Sequence, residues 1–273
     1  MTPISFDEMR KIELDVLRFV TKFCDDLGLD YGLGYGTLIG AIRHKGFIPW
    51  DDDIDINMRR NDYETLIKTF NDYAKNSPYL LISPYEKGAK HSFVKIIDTR
   101  TIKIEDGIKY KDFYYGIDID VFPVDGAPET DEEHVAWFNK LKSVYQKHYI
   151  SIQAITGSFS TKLKILVKKA LLLLTFNTKN RLLKKAKKLH DLYPYDKSKF
   201  VREMECLYAY KGGRVEKQNY DGTVLVDFEG EKFKVFSGYH QILTSIYGDY
   251  MKLPPEEQQI THHKNNVFWK IEK

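Results

Sequence analysis

The sequence predicts a mixed α/β (α+β) fold: a small mixed sheet flanked by helices, with a basic helical insertion. Three observations lead there. Ile54-Asp55-Ile56 and Ile117-Asp118-Ile119-Asp120-Val121-Phe122 alternate aliphatic and acidic residues at the period of a strand. Amphipathic runs with helical spacing lie beside them. From His134 to His190 the chain has no Asp or Glu while Lys and Arg recur, a one-signed bias that points to a partner more than to folding.

Ser5 and Glu8 have capping-box spacing, and Met9, Ile12, Val16, Phe19, Val20, Phe23 and Leu27 follow at helical intervals up to Gly28. This predicts one amphipathic helix on the core with its Glu- and Lys-bearing face in water. Asp30 to Gly34 reads as a short strand or tight connection into Gly36-Thr37. A helix starting there would turn backbone N–H groups and its positive dipole end toward a phosphate. The basic loop Arg43-His44-Lys45 then leads into Trp50-Asp51-Asp52-Asp53-Ile54-Asp55-Ile56-Asn57.

Asp51, Asp52, Asp53 and Asp55 repel one another, so a fold that holds them together suggests a cation that neutralises them. Hard oxygen ligands with no nearby Cys favour Mg2+ (or Mn2+) over zinc. Side chains alternate along a strand, so Asp53 and Asp55 are predicted to project together while Ile54 and Ile56 enter the core. Asp51 and Asp52 are supporting groups or simple loop solvation. For an isolated D-x-D an acidic turn would be the better reading; here Gly36-Thr37 strengthens the functional one.

Downstream, Asn61 and Glu64 repeat the capping-box spacing ahead of Tyr63, Leu66, Ile67 and Phe70. Extended segments are predicted at Tyr79 to Ile82, Phe93 to Ile97 and Thr101 to Ile104. Lys95 on the second of these could reach a phosphate, or equally be a solvated strand lysine. The two Asp of Ile117 to Phe122 share a strand face, which is costly on a core strand unless they are paired, protonated or metal-bound. Thr223 to Phe228 and Lys232 to Phe236 read as a hairpin, and Tyr239 to Met251 as a helix stopped by Pro254-Pro255. His262-His263 suits phosphate contact or packing better than metal ligation. Tyr35, Trp50, Tyr114 and Tyr115 could offer a cation–π face to a quaternary ammonium, although at 14% aromatic content many rings must be core.

With 273 residues, 42% of them hydrophobic and 30% charged, the chain can bury a sizeable core and is not a disordered protein. Cys24 and Cys206 show no metal spacing, which fits a reduced, cytoplasmic setting. No signal peptide and no bilayer-spanning run is predicted. Lysines interleaved with Ile165, Leu166, Leu171 to Leu174 and Phe176 predict a basic amphipathic segment, with an anionic membrane surface as its simplest partner. Nucleic acid is not expected, because no aromatic platform or recognised helix motif accompanies the lysines. The expected location is peripheral, at the inner face of the cytoplasmic membrane.

Tyr35 to Asn57, together with Gly116 to Pro123 and Tyr247-Gly248-Asp249-Tyr250 with Pro254-Pro255, resembles the LicD family, relatives of fukutin and the fukutin-related protein. The resemblance implies a nucleotidyltransferase-like sheet, in which two metal-binding Asp sit on one strand and a third on its neighbour. Carried onto this chain, those roles fall on Asp53, Asp55 and Asp120, with Asp118 as the alternate third carboxylate. It further implies transfer of phosphocholine, or a related phospho-alcohol, from CDP-choline or another CDP-alcohol to a sugar hydroxyl of a lipid-linked glycan acceptor, with CMP released. Gly36 and Thr37 would hold phosphate, Arg43, His44 and Lys45 would balance charge on the leaving nucleotide, and Asp120 would accept a proton or join the metal. The expected organisation is a catalytic core over 1–127, a basic helical insertion over 128–200, and a C-terminal part over 201–273 that completes the core. A glycosyltransferase using a nucleotide sugar, a nucleotidyltransferase releasing pyrophosphate and a non-catalytic membrane adaptor are the competing readings.

Overall fold

The computed structural model describes residues 1–86, 89–104, 115–203, 213–261 and 266–270. Tyr114, Cys206, His262 and His263 lie outside the described residues. In chain order the elements are β1 (Thr2–Pro3), α1 (Phe6–Leu27), β2 (Gly32–Leu33), α2 (Tyr35–Arg43), β3 (Asp55–Arg59), α3 (Arg60–Tyr73), β4 (Tyr79–Ile82), β5 (Val94–Asp98) and β6 (Thr101–Ile104). They continue with β7 (Asp118–Ala127), α4 (Asp131–Ile152), α5 (Phe159–Leu174), α6 (Lys179–His190), β8 (Phe200–Glu203), β9 (Arg214–Glu216), β10 (Thr223–Phe228), β11 (Glu231–Phe236), α7 (Tyr239–Tyr247) and β12 (Asn266–Trp269).

β7 is the spine of a seven-stranded mixed sheet. On one side it pairs in parallel with β3, which pairs antiparallel with β2. On the other side it pairs antiparallel first with β5, through residues 118–121, and then with β8, through residues 124–127. Phe122 and Pro123 fall at the handover between these partners, where a proline's missing N–H removes no ladder bond on that side. β4 extends the sheet beyond β5, and β9 beyond β8. Ile54, Ile56, Ile119, Val121, Val94 and Ile96 are buried in the main core with α1 and α3, as the alternation of Ile and Asp predicts.

Local chemistry sets the helix ends. The Ser5 hydroxyl accepts from the Glu8 N–H at 3.2 Å at the start of α1. α3 starts at Arg60, one residue before the expected Asn61 cap; its cap position is Arg59, which makes no side-chain cap bond. α7 ends at Tyr247, earlier than the expected Met251, because Gly248 at φ 69° turns the chain out of the helix before Pro254 can. Glu229 and Gly230, both at positive φ, form the two-residue turn of the β10–β11 hairpin.

β6 joins β12 and β1 in a separate three-stranded sheet. It turns Thr101 and Lys103 inward and leaves Ile104 exposed, the reverse of what hydrophobicity alone favours, because Lys103 has a buried carboxylate to meet. α4, α5 and α6 lie between β7 and β8, two strands that are neighbours in the sheet. Trp137, Phe138 and Leu141 of α4 pack on Ala186 and Leu189 of α6.

Candidate active site

The site is built where β3 and β7 run side by side. Asp55 lies directly opposite Asp120 in the parallel register, so both carboxylates project from one face of adjacent strands about 4.8 Å apart. The ladder continues one residue back, with the Asp120 N–H donating to the Ile54 carbonyl at 2.9 Å. On its other side Asp55 is fixed by the start of α2. Its N–H donates to the Thr37 hydroxyl at 2.9 Å, and its carbonyl accepts from the Gly34 N–H at 2.9 Å.

Lys95, opposite Asp120 on β5, puts its ammonium between two carboxylates, donating to Asp118 and to Asp120 Oδ1, the latter at 2.6 Å. Lys103 donates to Asp118 Oδ1 at 2.8 Å. Burial would raise Asp118, but Lys103 and Lys95 together outweigh it and hold this carboxyl well below its ordinary range. Asp120 is hydrogen-bonded to Lys95 alone, and Lys103 acts on it only through its charge. Burial therefore prevails over Lys95, the Asp118 charge adds to it, and Asp120 is pushed up to about 8. Asp55 is raised by burial first and then by Asp53, Asp120 and Asp51.

Asp51, Asp52 and Asp53 lie just before β3, with one carboxylate oxygen from each within 4.8 Å of the others. Asp51 is pushed up to about 8 by burial and by Asp53, to which its carboxyl is hydrogen-bonded. Two carboxylates that share a proton mark a place a divalent cation fits, and the all-oxygen donor set suits magnesium or manganese. Arg10 braces this loop from α1, its guanidinium donating to the Ile48 carbonyl at 2.9 Å and the Asp51 carbonyl at 3.1 Å. Gly36 is required here by close approach, since a Cβ on it would stand 2.5 Å from Asp51 Oδ2. The preceding Tyr35 holds φ at 44°, a costly conformation for an aromatic residue, at the first turn of a helix whose Gly34 cap supplies no side-chain acceptor.

Asp53, Asp55, Asp118, Asp120, Lys95, Gly36 and Thr37 are thus brought together. Arg43, His44 and Lys45 are not. They lie at the opposite end of α2, with Arg43 six residues or about 9 Å of helix rise beyond Thr37. Arg43 donates to the Tyr250 carbonyl at 2.8 Å and to His44 Nε2 at 2.9 Å. The Lys45 carbonyl accepts from the Glu229 N–H at 3.0 Å, and the Glu229 carboxylate accepts from the Phe47 N–H at 3.0 Å. The basic loop is therefore latched to the C-terminal hairpin. Lys95 faces carboxylates, and the Thr37 hydroxyl is engaged with the β3 backbone.

Three functional candidates escape sequence reasoning. Glu13 of α1 is fully buried, and its carboxyl is raised by burial, with Asp53, Asp118 and Asp52 adding to the rise and Lys103 opposing it. The signal was present: Glu13 sits four residues after Met9 and four before Leu17, on the buried stripe of α1. Lys103 carried no motif. Glu203 of β8, raised by burial to about 7, accepts from the Asn57 amide and the Tyr220 hydroxyl, each at 2.6 Å. Its neighbours are distant in sequence, and only the fold assembles them.

A separate cleft of about 510 Å³ lies over α3 and α6, lined among others by Arg60, Tyr85, Phe93, Asp125 and His190. Arg60 grips Asp125 with two hydrogen bonds of 2.7 and 2.6 Å, and His190 Nδ1 stands 3.2 Å from the same carboxylate. None of the clustered carboxylates of the β3–β7 site lines this cleft.

Comparison with known proteins places the chain among phosphorus-group transferases. A family model described as LicD/FKTN/FKRP, nucleotidyltransferase domain, matches residues 28–156, a span that holds Gly36, Thr37, Asp51 to Asp55, Lys95, Asp118 and Asp120. The chain is 31% identical over 275 residues to the lipopolysaccharide cholinephosphotransferase LicD of Haemophilus influenzae, covering 98% of this chain and 99% of that one. It is also 26% identical over 110 residues to the ribitol-5-phosphate transferase FKTN of Mus musculus, across 39% of this chain and 21% of that protein.

Proposed function

The chain belongs to the LicD family and is a transferase of phosphorus-containing groups, and from that premise we propose that it moves phosphocholine, or a related phospho-alcohol, from a CDP-activated donor to a sugar hydroxyl of a teichoic acid or lipopolysaccharide precursor. The near-full-length relative is a lipopolysaccharide cholinephosphotransferase and the more distant one a ribitol-5-phosphate transferase, so both move a phospho-alcohol. The observation that carries the reading is the Asp55–Asp120 register, which sets two carboxylates on adjacent strands beside a third at Asp53.

In this reading the sugar oxygen bonds to the phosphorus that bears the alcohol, the bond from that phosphorus to the CMP oxygen breaks, and the sugar hydroxyl proton leaves. Asp53, Asp55 and Asp120, with Asp51 beside them, would hold a divalent cation. When bound, Mg2+ or Mn2+ supplies charge neutralisation for the diphosphate and polarises the reacting phosphorus–oxygen bonds. As a carboxylate, Asp120 would either accept the hydroxyl proton, for which burial raises its affinity, or serve as a shared ligand of the cation. Lys95 keeps Asp120 oriented and lowers the negative charge a diphosphate meets. The first-turn amides around Gly36 and Thr37 receive a phosphate oxygen. Asp118, neutralised by two buried lysines, serves as the anchor for those lysines.

The test is incubation with magnesium, a soluble acceptor glycan and a panel of CDP-alcohols and nucleotide sugars, followed by identification of the released nucleotide. CMP with a phospho-alcohol on the glycan is the expected outcome. CMP left on the glycan with the free phospho-alcohol released would assign nucleotidyl transfer instead, and a nucleoside diphosphate released from a nucleotide sugar would assign glycosyl transfer.

A further inference from the structure

α5 turns its apolar side away from the protein. Its buried residues are Ile165 and Leu172. Counting about 100° per residue from Ile165, Leu172 falls within about 20° of it, while Leu163, Val167 and Leu174 point about 160–200° away. Phe159, Leu163, Val167, Leu171, Leu174 and the following Phe176 are between 51% and 84% exposed, a continuous apolar ridge. Lysines border the ridge on both sides. By the same count Lys162 and Lys169 lie about 40–60° from Ile165 in one direction, and Lys164 and Lys168 about 60–100° in the other. No acidic residue occurs anywhere from 134 to 190.

We propose that α5 is a docking helix that lies in the plane of an anionic lipid bilayer. Its apolar ridge enters the acyl boundary while the flanking lysines meet headgroup phosphates. At 16 residues the helix is about 24 Å long, short of a hydrocarbon core about 30 Å thick. Among the described residues no helix is long and apolar enough to cross a membrane. The in-plane orientation is the one that satisfies both the ridge and its borders.

Charge complementarity selects this occupant. A second copy of the chain would set lysine borders against lysine borders with no acid on the segment to pair them, whereas a sheet of anionic headgroups neutralises both sides at once. The inserting surface is α5 and not α6, because the apolar residues Leu182, Leu183 and Ala186 of α6 are buried against the protein. The proposal rests on α5 alone and is independent of the reaction assigned to the carboxylates.

Co-sedimentation with vesicles of phosphatidylglycerol mixed with phosphatidylcholine, compared with phosphatidylcholine alone, tests it. The wild-type chain should partition onto the anionic vesicles and leave them as salt is raised. Replacing Lys162, Lys164 and Lys168 together by Gln should weaken partitioning by about 10- to 100-fold, from about one kcal/mol per lysine less screening. The double variant Leu163→Gln with Leu174→Gln should weaken it by about 100-fold. Both sets are exposed, and unchanged thermal melting confirms that folding is intact. Phe159→Trp adds a probe whose emission should shift to the blue on anionic vesicles, which adsorption by charge alone would not produce. Absence of wild-type binding, indifference of binding to the leucine variants, or a wild-type dimer that the leucine variants dissociate would each overturn the proposal. Activity on a soluble acceptor should be unchanged in all these variants, so failure here is distinguishable from failure of the catalytic reading.

Discussion

Raising the pH should tighten magnesium binding, because Asp51 and Asp120 hold protons that the cation must displace. Burial, with neighbouring charge, puts both near 8. Two pH units below that value each carboxyl is about 99% protonated, against about half at the value itself. Displacing one proton should therefore lower the apparent affinity about 50-fold between about pH 8 and about pH 6, and displacing both about 2,500-fold. The metal-free chain behaves in the opposite sense. These carboxyls keep protons in the folded state that the unfolded chain releases above the ordinary value of 3.8, so their contribution to metal-free stability is lost as pH rises toward the folded values near 8. Melting temperatures should show magnesium adding more stability at about pH 8 than at about pH 6. Titration calorimetry in buffers of different ionisation heat counts the protons released. Binding with no proton release, or with equal affinity across this range, would refute the reasoning.

Asp53→Asn and Asp55→Asn should each lower turnover by at least about 100-fold, as loss of a transition-state charge interaction does, with little change in melting temperature. Asp118→Asn should do the reverse of Asp120→Asn. It strips one carboxylate from two buried lysines and should cost about 3–5 kcal/mol of stability, read by denaturant unfolding, whereas Asp120→Asn should mainly cost turnover. Gly36→Ala should push Asp51 out of place, since the added carbon would stand 2.5 Å from its carboxylate; weakened magnesium affinity in a folded protein is the expected readout. Glu229→Ala should release the Phe47 N–H and cost about 0.5–1.5 kcal/mol, so an unchanged melting temperature would show that the latch contributes nothing.

The parts of this fold that were legible are those where local chemistry and global packing agree. The cap at Ser5, the hairpin at Glu229-Gly230 and the Ile side of β3 and β7 each follow from a few neighbouring residues. That the two acidic strands pair was legible because a carboxylate on an apolar strand needs company, but β3 begins at Asp55, so Asp53 stands in the loop before it and not on the strand as expected. What the sequence could not show is which partner each polar group takes. Lys95 reads equally as a phosphate contact or a solvated strand lysine, and Lys103 carries no motif, until β5 and β6 bring both to Asp118. Arg43 to Lys45 look like phosphate ligands because they adjoin the acidic run in sequence, yet α2 carries them about 9 Å from Thr37. Glu13 hides in a helix whose charged face is otherwise wet.

Ala127 and Phe200 are register partners at the end of the β7–β8 ladder. Their α-carbons therefore stand about 5 Å apart, as opposed residues of antiparallel strands do. To the sheet, the whole of 128–199 is one very long hairpin loop, entering and leaving through a single doorway. Lineages could enlarge, shrink or exchange that loop without shifting the register of Asp55 against Asp120, since both ends return to the same pair. The Asp125–His190, Arg202–His134 and Asn61–Asp196 contacts are among the stitches such an exchange would have to resew. The carboxylates thus stand at the beginning of one strand and the doorway of the long loop at its end.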